Sequence, residues 1–204
     1  GQKRMLAKEF MKVLEQYPDG TLFVDLFGGS GLLSHITKSL KPHSTVIYND
    51  FDNYRFRMKH IPQTNQLLAD IREMVGNSVP RHKIIKGELR ERIFSRIEQE
   101  ENSTGYVDFI TLSSSILFSM KYKLSVQDMR KEALYNNIRK TGYPECTDYL
   151  EGLEIVSCDY KEVFNRYKDI PGVVFLVDPP YLSTDVGTYN MYWNMADYLD
   201  VLNV

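Results

Sequence analysis

The feature that most constrains the fold is an apolar run, Val173–Val177, that ends abruptly in Asp178-Pro179-Pro180-Tyr181. A continuous run rich in β-branched residues is typical of a strand buried on both faces, so we expect a central strand of a parallel sheet. Each proline fixes φ and lacks an N–H group, so the strand ends where the prolines begin. Asp178 therefore falls at the carboxyl end of the strand, where open α/β sheets bind ligands.

The four residues after the run combine three chemical features within one turn. Asp178 offers an anionic acceptor, the Pro179 carbonyl offers a second acceptor, and Tyr181 offers a flat ring for stacking. A planar heterocycle with an exocyclic amine matches all three, because two acceptors on the N–H bonds make such an amine a better nucleophile. The plainer alternative is a loop aspartate followed by a rigid turn.

A second motif follows an earlier apolar stretch, Thr21 to Phe27, which predicts a strand. The run Gly28-Gly29-Ser30-Gly31 comes next, ahead of a predicted helix through about Leu40. Glycines let the backbone turn tightly and approach a ligand, and a helix N-terminus presents free N–H groups. These residues predict a site for the polar end of a cofactor, although nicotinamide-binding loops have a similar pattern.

Further candidate cofactor ligands follow the next predicted strands. Val46–Tyr48 predicts a strand that leads to Asp50, and an acid about 20 residues past a glycine loop is placed to accept both hydroxyls of a ribose. Phe51 suits packing against an adenine ring or a place in the core. Leu153–Ser157 predicts another strand, and Asp159 after it is either a cofactor ligand or a helix N-cap.

Between these strands, residues 62–150 show helical patterns separated by Gly, Pro and Asn. Ser125-Val126-Gln127-Asp128 resembles a capping box, and apolar residues at 126, 129, 133 and 138 predict a helix that ends near Gly142. From Asn53 to Lys140 there are 16 basic and 10 acidic residues (net +6), and the remainder has 9 and 17 (net −8). We expect this middle segment to meet a phosphate backbone. The candidate contacts, each of which is also explained by a solvated helix face, are Arg81, Lys83, Lys86, Lys121, Lys123, Arg130, Lys131, Arg139 and Lys140.

These motifs and their order resemble the amino-methylating DNA methyltransferases, and most closely the DNA adenine methyltransferase subgroup with its recognition domain before Asp-Pro-Pro-Tyr. The resemblance covers nearly the whole chain. It implies a Rossmann-like α/β sheet that binds S-adenosyl-L-methionine, double-stranded DNA as the partner, and methyl transfer to the 6-amino group of a flipped adenine. A cognate restriction endonuclease is a further possible partner.

The resemblance also assigns roles to individual residues. It implies that Asp178 and a proline carbonyl, from Pro179 or Pro180, hold the amine while Tyr181 stacks on the base, and Asp178 also borders the cofactor. Asp25, before Phe27 and the glycines, lies near the methionine moiety in this family. An acid or its neighbours after the third strand, here Asp159 and Tyr160, bind the cofactor adenine. Lys3 matches the end of the N-terminal motif of the family, or is an exposed terminal lysine.

The domain organisation follows from the same order of motifs. We expect a catalytic and cofactor-binding domain at residues 1–61 and 151–204, with a helical DNA-recognition insertion at 62–150. Residues 182–193 are expected to form a lid, and residues 4–17 a helix covering the sheet. About four parallel strands are expected, fewer than in the full family fold, whose last strands follow the catalytic motif.

Other functions fit part of the sequence. The shorter sheet fits an inactive or truncated relative that only binds cofactor or DNA. The same acceptor chemistry fits amino groups of cytosine, RNA or glutamine, and a nicotinamide dehydrogenase leaves the residues after the apolar run unexplained. Two cysteines and four scattered histidines form no metal-ligand spacing, so no metal is expected. No segment predicts a membrane span or signal peptide, so a cytoplasmic location is expected by default. The family resemblance implies that the protein is encoded by a bacterium or a phage.

Overall fold

A computed structural model describes residues 2–118, 121–179 and 195–202, with side chains except at 2–6, 198 and 202. Pro180, Tyr181 and the expected lid at 182–193 lie outside this part of the chain, as does the side chain of Lys3. The described residues form two compact units, Gly1–Phe56 with Cys146–Val204 and Arg57–Glu145. Their elements are α1 Gln2–Glu15, β1 Phe23–Asp25, α2 Leu32–Leu40, β2 Val46–Asn49, α3 Tyr54–Lys59, α4 Ile61–Val75, β3 Ile84–Ile85, α5 Gly87–Thr104, α6 Phe109–Ile116, α7 Val126–Arg130, β4 Leu134–Tyr135, β5 Glu154–Val156, α8 Tyr160–Tyr167, β6 Val174–Leu176 and α9 Met195–Leu202.

The first unit is built on a parallel sheet with strand order β5-β2-β1-β6. Asp25, the last residue of β1, pairs with Tyr48 of β2 and with Leu176 of β6. The four described strands run in the same direction, so their carboxyl ends lie at one edge. The expected mixed α/β fold with a parallel central sheet is confirmed.

Both faces of this sheet are covered because neighbouring residues of β1 point to opposite sides. Phe23 packs with Leu14 of α1 on one face, whereas Val24 packs with Val163 of α8 on the other. Two small apolar cores therefore fix helices on the two faces of the sheet. The polar residues at the carboxyl ends of the strands lie outside these cores.

The apolar run at 173–177 does not form a central strand among the described residues. In the part of the sheet that the structure describes, β6 is an edge strand paired with β1, and Val177 is 46% exposed. Val174 and Phe175 still pack into the two cores on opposite faces. Among the described strands the expected central position is therefore not observed, because an apolar run indicates that both faces are covered and not how many strands lie alongside.

The second unit is formed by the helices α4 to α7 and the antiparallel pair β3 and β4. Its core is one apolar cluster in which Phe94, Ile93 and Ile97 of α5 are fully buried beside Ile71 of α4. Asp108 caps α6 by accepting a hydrogen bond from the backbone N–H of Thr111 at 3.1 Å. No helix of the described residues is long and apolar enough to cross a membrane.

The helix predicted from Ser125 to near Gly142 is wrong beyond Arg130. The cap itself is present, because the Ser125 side chain accepts a hydrogen bond from the Asp128 N–H at 3.2 Å. The chain then becomes extended and β4 pairs with β3. Asn136 is a poor helix former, and its side chain donates to the Val79 carbonyl at 2.7 Å, so contacts distant in sequence override the apolar spacing.

Candidate cofactor and catalytic site

The glycine loop leaves the carboxyl end of β1 and leads directly into α2. Gly29 and Gly31 have positive φ angles of 50° and 74°, which favour glycine. The N–H of Gly31 donates to the Gly28 carbonyl at 2.7 Å, and Gly31 is the N-cap of α2. Gly31 has no side chain, and none of the described side chains caps α2, so within this part of the chain the N–H groups of its first turn are available for a polar ligand.

Gly28 fits its position only without a side chain. A Cβ atom there would lie 2.2 Å from Cε2 of Tyr48 and 2.6 Å from the carbonyl oxygen of Asn49. The loop backbone is therefore pressed against the end of β2, and the first glycine of the motif is required by packing.

Asp25 is buried inside the end of β1, as the motif predicted. Its exposure is 1%, and its Oδ2 accepts a hydrogen bond from the Ser34 hydroxyl at 2.7 Å. Ser34 lies on α2, so this bond fixes the helix to the strand on the two sides of the glycine loop. The carboxyl group of Asp25 therefore lies directly beside the glycine loop.

Asp50 lies at the end of β2 and holds the next turn. Its Oδ1 accepts from the Tyr54 N–H at 2.5 Å and the Tyr48 hydroxyl at 3.1 Å, and its Oδ2 accepts from the Arg55 N–H at 3.1 Å. A carboxylate has about four acceptor positions, so about one is left for a ligand. The predicted role as a ribose ligand stays a prediction, with room for one hydroxyl rather than two. Phe51 follows, half-buried.

Tyr48 links the glycine loop to Asp50. Its hydroxyl lies 2.8 Å from the Gly29 carbonyl oxygen and 3.1 Å from Oδ1 of Asp50. Burial, and then the negative charge of Asp50, raise the pKa of Tyr48 well above its usual value. The phenol is therefore a neutral donor. Sequence reasoning gave Tyr48 no role, because a tyrosine in a strand is ordinarily a core residue.

The loop after β5 supplies the remaining predicted cofactor residues. Asp159 caps α8, since its Oδ1 accepts from the Lys161 N–H at 2.8 Å. Tyr160 is buried against Phe27 of the glycine loop, with ring centroids 4.9 Å apart. The N-cap role of Asp159 is thus observed, and its contact with a cofactor stays a prediction.

A second contact that the sequence did not suggest involves the segment Cys146–Leu150. The Tyr149 ring stacks on His35 of α2 at a centroid distance of 4.3 Å, and its carbonyl oxygen lies 2.8 Å from Nδ1 of His35. A Cβ atom on Gly31 would come within 2.7 Å of Leu150. This segment therefore packs on the far side of the glycine loop and supports it.

Asp178 and Pro179 follow β6 at the same edge of the sheet, and both are half-buried. The Leu26 N–H donates to the Leu176 carbonyl at 3.1 Å, so β1 and β6 stay paired up to the point where the two motifs begin. Asp178 and the glycine loop therefore leave adjacent strand ends. Among the described residues, no group of three or more His, Cys, Asp or Glu is arranged to hold a metal ion.

A parallel α/β sheet with a glycine loop, buried acids and Asp178 at the carboxyl ends of its strands is typical of enzymes that bind nucleotide-like cofactors. Comparison with known proteins gives the particular family. Residues 1–200 match the D12 class N6 adenine-specific DNA methyltransferases. A Haemophilus influenzae protein named "Putative methyltransferase" is 38% identical over 210 residues, covering 100% of this chain and 70% of that protein. No solved structure matches significantly.

The chain belongs to the D12 class N6 adenine-specific DNA methyltransferase family, and it is a methyltransferase. The family resemblance predicted from the sequence is confirmed. The roles predicted for individual residues, the domain boundaries and a partner endonuclease stay predictions.

Proposed function

We propose that the protein transfers a methyl group from S-adenosyl-L-methionine to the 6-amino group of an adenine flipped out of double-stranded DNA. Membership of the adenine-methylating family supports the reaction class. The observation that carries the proposal is the parallel pairing of β1 with β6, which brings the glycine loop and Asp178 to neighbouring positions at one sheet edge.

The residues at this edge fit the cofactor. The loop backbone turns through positive φ angles at Gly29 and Gly31, and no side chain among the described residues caps the first turn of α2, as a close polar ligand requires. The buried Asp25 provides negative charge for a cationic methionine moiety. Asp50 can accept one ribose hydroxyl, and the half-buried Phe27, packed on the buried ring of Tyr160, is proposed to contact adenine. When bound, the cofactor would supply an electrophilic methyl group on a positively charged sulfur. Transfer would form a nitrogen–carbon bond, break the carbon–sulfur bond to release a neutral thioether, and release one proton from the amine to solvent.

Asp178 and the Pro179 carbonyl are proposed to act on the adenine amine. Both are acceptors, so they bind the two N–H bonds and favour a tetrahedral nitrogen with an available lone pair. Orientation of the amine toward the cofactor contributes a large part of the acceleration. Tyr181 is proposed to stack on the base, which offsets part of the unstacking free energy, on the order of a few kcal/mol.

Residues 62–150 are proposed to bind the DNA, but most of the predicted phosphate contacts have other partners. Lys121 and Lys123 pair with Glu132 at 2.6 Å and 3.2 Å, and Arg130 pairs with Glu91 at 2.7 Å. Arg130 also pairs with Glu98, Lys131 with Asp128, Arg81 donates to a backbone carbonyl, and Arg139 lies over a tyrosine ring. Lys83, Lys86 and Lys140 are exposed, and the contacts observed among the described residues include none from their side chains. These three lysines are the best candidates for phosphate contacts.

The direct test is transfer of labelled methyl groups to double-stranded DNA, followed by analysis of the modified nucleoside. Methylated adenine is expected, and Asp178→Ala should lower the rate by about a thousandfold while cofactor binding remains measurable. Asp169→Ala, which removes an exposed acid after α8, is the matched control and should retain full activity. Unmodified adenine with the wild-type protein, or equal activity in the two variants, would contradict the proposal.

A further inference from the structure

Asn49, the last residue of β2, has an unusual set of partners. It is 1% exposed, and β2 lies between β1 and β5 in the sheet. Its Nδ2 donates to the Leu26 carbonyl at 3.0 Å and to the Cys158 carbonyl at 2.9 Å, and its Oδ1 accepts from the Cys158 N–H at 3.1 Å. One side chain thus bridges the segments that follow both neighbouring strands.

The bridged groups lie just beyond the ends of the paired strands. β1 ends at Asp25 and β5 ends at Val156, so Leu26 and Cys158 belong to the loops. Buried backbone groups need hydrogen-bond partners, and past the end of a strand the neighbouring strand no longer supplies them. The side-chain amide of Asn49 supplies the hydrogen bonds that a paired strand would otherwise give to these backbone groups.

Each bridged residue immediately precedes a segment assigned to the cofactor. Leu26 precedes Phe27 and the glycine loop, Cys158 precedes Asp159 and Tyr160, and Asn49 itself precedes Asp50. A shift at any of these three strand ends would therefore move a predicted cofactor contact, and Asn49 is the side chain common to all three.

We propose that Asn49 is a positioning residue of the cofactor site, which holds the glycine loop, the Asp50 turn and the Asp159 loop in mutual register without touching the cofactor. This inference rests on the proposed function, because it takes those three loops as the binding site for S-adenosyl-L-methionine. It predicts that Asn49 controls cofactor affinity more strongly than it controls folding.

The chemistry of the bridge requires an amide. Asparagine provides two N–H donors and one acceptor on a short side chain, which matches two carbonyls and one N–H. Aspartate has the same shape but places an oxygen against both carbonyls. That arrangement disfavours the ionised carboxylate, so the acid should become protonated at a higher pH than usual and then donate to one carbonyl.

The experiment measures binding of S-adenosyl-L-methionine by calorimetry from pH 6 to pH 8.5 for the wild type and Asn49→Asp, with thermal unfolding of each. At pH 8.5 we expect Asn49→Asp to bind about tenfold to a hundredfold more weakly, because two buried carbonyls lose their donor. The loss should shrink as the pH falls. The ionisable groups near these strand ends, Asp25, Tyr48, Asp50, Cys158 and Asp159, are common to both proteins, so the wild type corrects for their titration.

Two further variants separate positioning from stability. Leu14→Ala removes a buried side chain from the other face of the sheet and should lower the unfolding temperature without comparable loss of affinity. Asn49→Ser carries no charge and keeps one donor, so it should show a smaller loss of affinity that does not recover at low pH, and it serves if the aspartate variant does not fold.

The outcomes distinguish this inference from the function on which it rests. Wild-type binding together with Asn49 variants that bind equally well, or that lose no more affinity than Leu14→Ala, would overturn the positioning role alone. A folded wild-type protein with no measurable affinity for S-adenosyl-L-methionine would overturn the cofactor assignment and this inference with it.

Discussion

The two units of this protein hold their buried polar groups in different ways. In the first unit, Asp50 is held by backbone N–H groups and a tyrosine hydroxyl, and Asn49 is held by backbone groups that follow the two neighbouring strands. In the second unit, Arg96 pairs with Asp70 and Glu100, each at 2.8 Å, on the surface of one large apolar core.

The difference indicates what each arrangement is for. Ion pairs between helices neutralise charge and fasten the elements that carry them. Uncharged donors fix the position of Asp50 without neutralising its carboxylate, and they leave one acceptor position for the ribose hydroxyl proposed above. The first unit therefore combines loop geometry with charge for a ligand, whereas the second combines packing with charge compensation.

The largest effect is expected at the closest packing in the first unit. Gly28→Ala would force a Cβ atom against Tyr48 and the Asn49 carbonyl, so we expect a loss of about 3 kcal/mol in the free energy of unfolding and no detectable cofactor binding. Denaturant unfolding and calorimetry measure the two quantities.

Gly172→Ala is the control for backbone strain. Gly172 has a φ of 76° and no atom within 4 Å of an added Cβ, so its substitution should cost about 1 kcal/mol and leave cofactor affinity unchanged. If Gly28→Ala behaved like this control, the glycine loop would not be limited by its contact with β2.

The next largest loss of stability is expected when the ion pairs of Arg96 in the second unit are removed. Arg96→Ala leaves Glu100, whose side chain is 12% exposed, without its guanidinium partner. Partial exposure of Asp70 and Arg96 reduces the cost below that of a fully buried pair, so we expect about 2 kcal/mol of destabilisation.

Lys131→Ala is the matched control in the same unit, because the Lys131–Asp128 pair is 74% and 48% exposed. It should change the free energy of unfolding by about 0.5 kcal/mol or less. Denaturant unfolding compares the two variants, and equal effects would remove the distinction between structural and surface ion pairs in this unit.

A smaller effect concerns the pH dependence of the first unit. The pKa of Tyr48 is raised in the folded protein, so the unfolded chain loses this proton first as the pH rises. The stabilisation is fully present below about pH 10, the usual tyrosine pKa, and is lost progressively at higher pH.

Tyr48→Phe should therefore cost about 1 kcal/mol at pH 7 through its lost hydrogen bond, and its unfolding temperature should fall less steeply than that of the wild type between pH 9 and pH 11. Parallel alkaline profiles would show that Tyr48 loses its proton at the same pH in the folded and unfolded chains, which would contradict the raised pKa.

The sequence predicted those structural features that depend on a few neighbouring residues. The strand ends at Asp25 and Asp50 and the capping serine at 125 were found because apolar runs, glycines and caps act over a few neighbouring residues. The extended chain after Arg130 was missed because its partner strand β3 lies about fifty residues away in sequence. Asn49 was missed because a strand-end asparagine also suits an ordinary turn, and only the three-dimensional structure shows Leu26 and Cys158 on either side of it.

The smallest effect is expected on DNA affinity, when single lysines of the second unit are replaced. It tests whether lysines paired with carboxylates contribute less to DNA binding than unpaired ones. Lys83 and Lys86 are exposed next to β3, whereas Lys121 is compensated by Glu132. Lys121 also helps to hold the pKa of Glu132 below its usual value, so the pair stays charged at neutral pH. An ammonium group without a carboxylate partner can release a counterion from a phosphate, and a paired one contributes less.

Lys83→Ala or Lys86→Ala should each weaken binding to duplex DNA by about threefold to tenfold at low salt and reduce the slope of log affinity against log salt by about one. Lys121→Ala is the matched control, and it should change both quantities less. Fluorescence anisotropy over a salt series measures them. If the three variants behaved alike, pairing with a carboxylate would not decide which lysines of this unit bind phosphates. Charge compensation in the second unit would then have no effect on DNA binding.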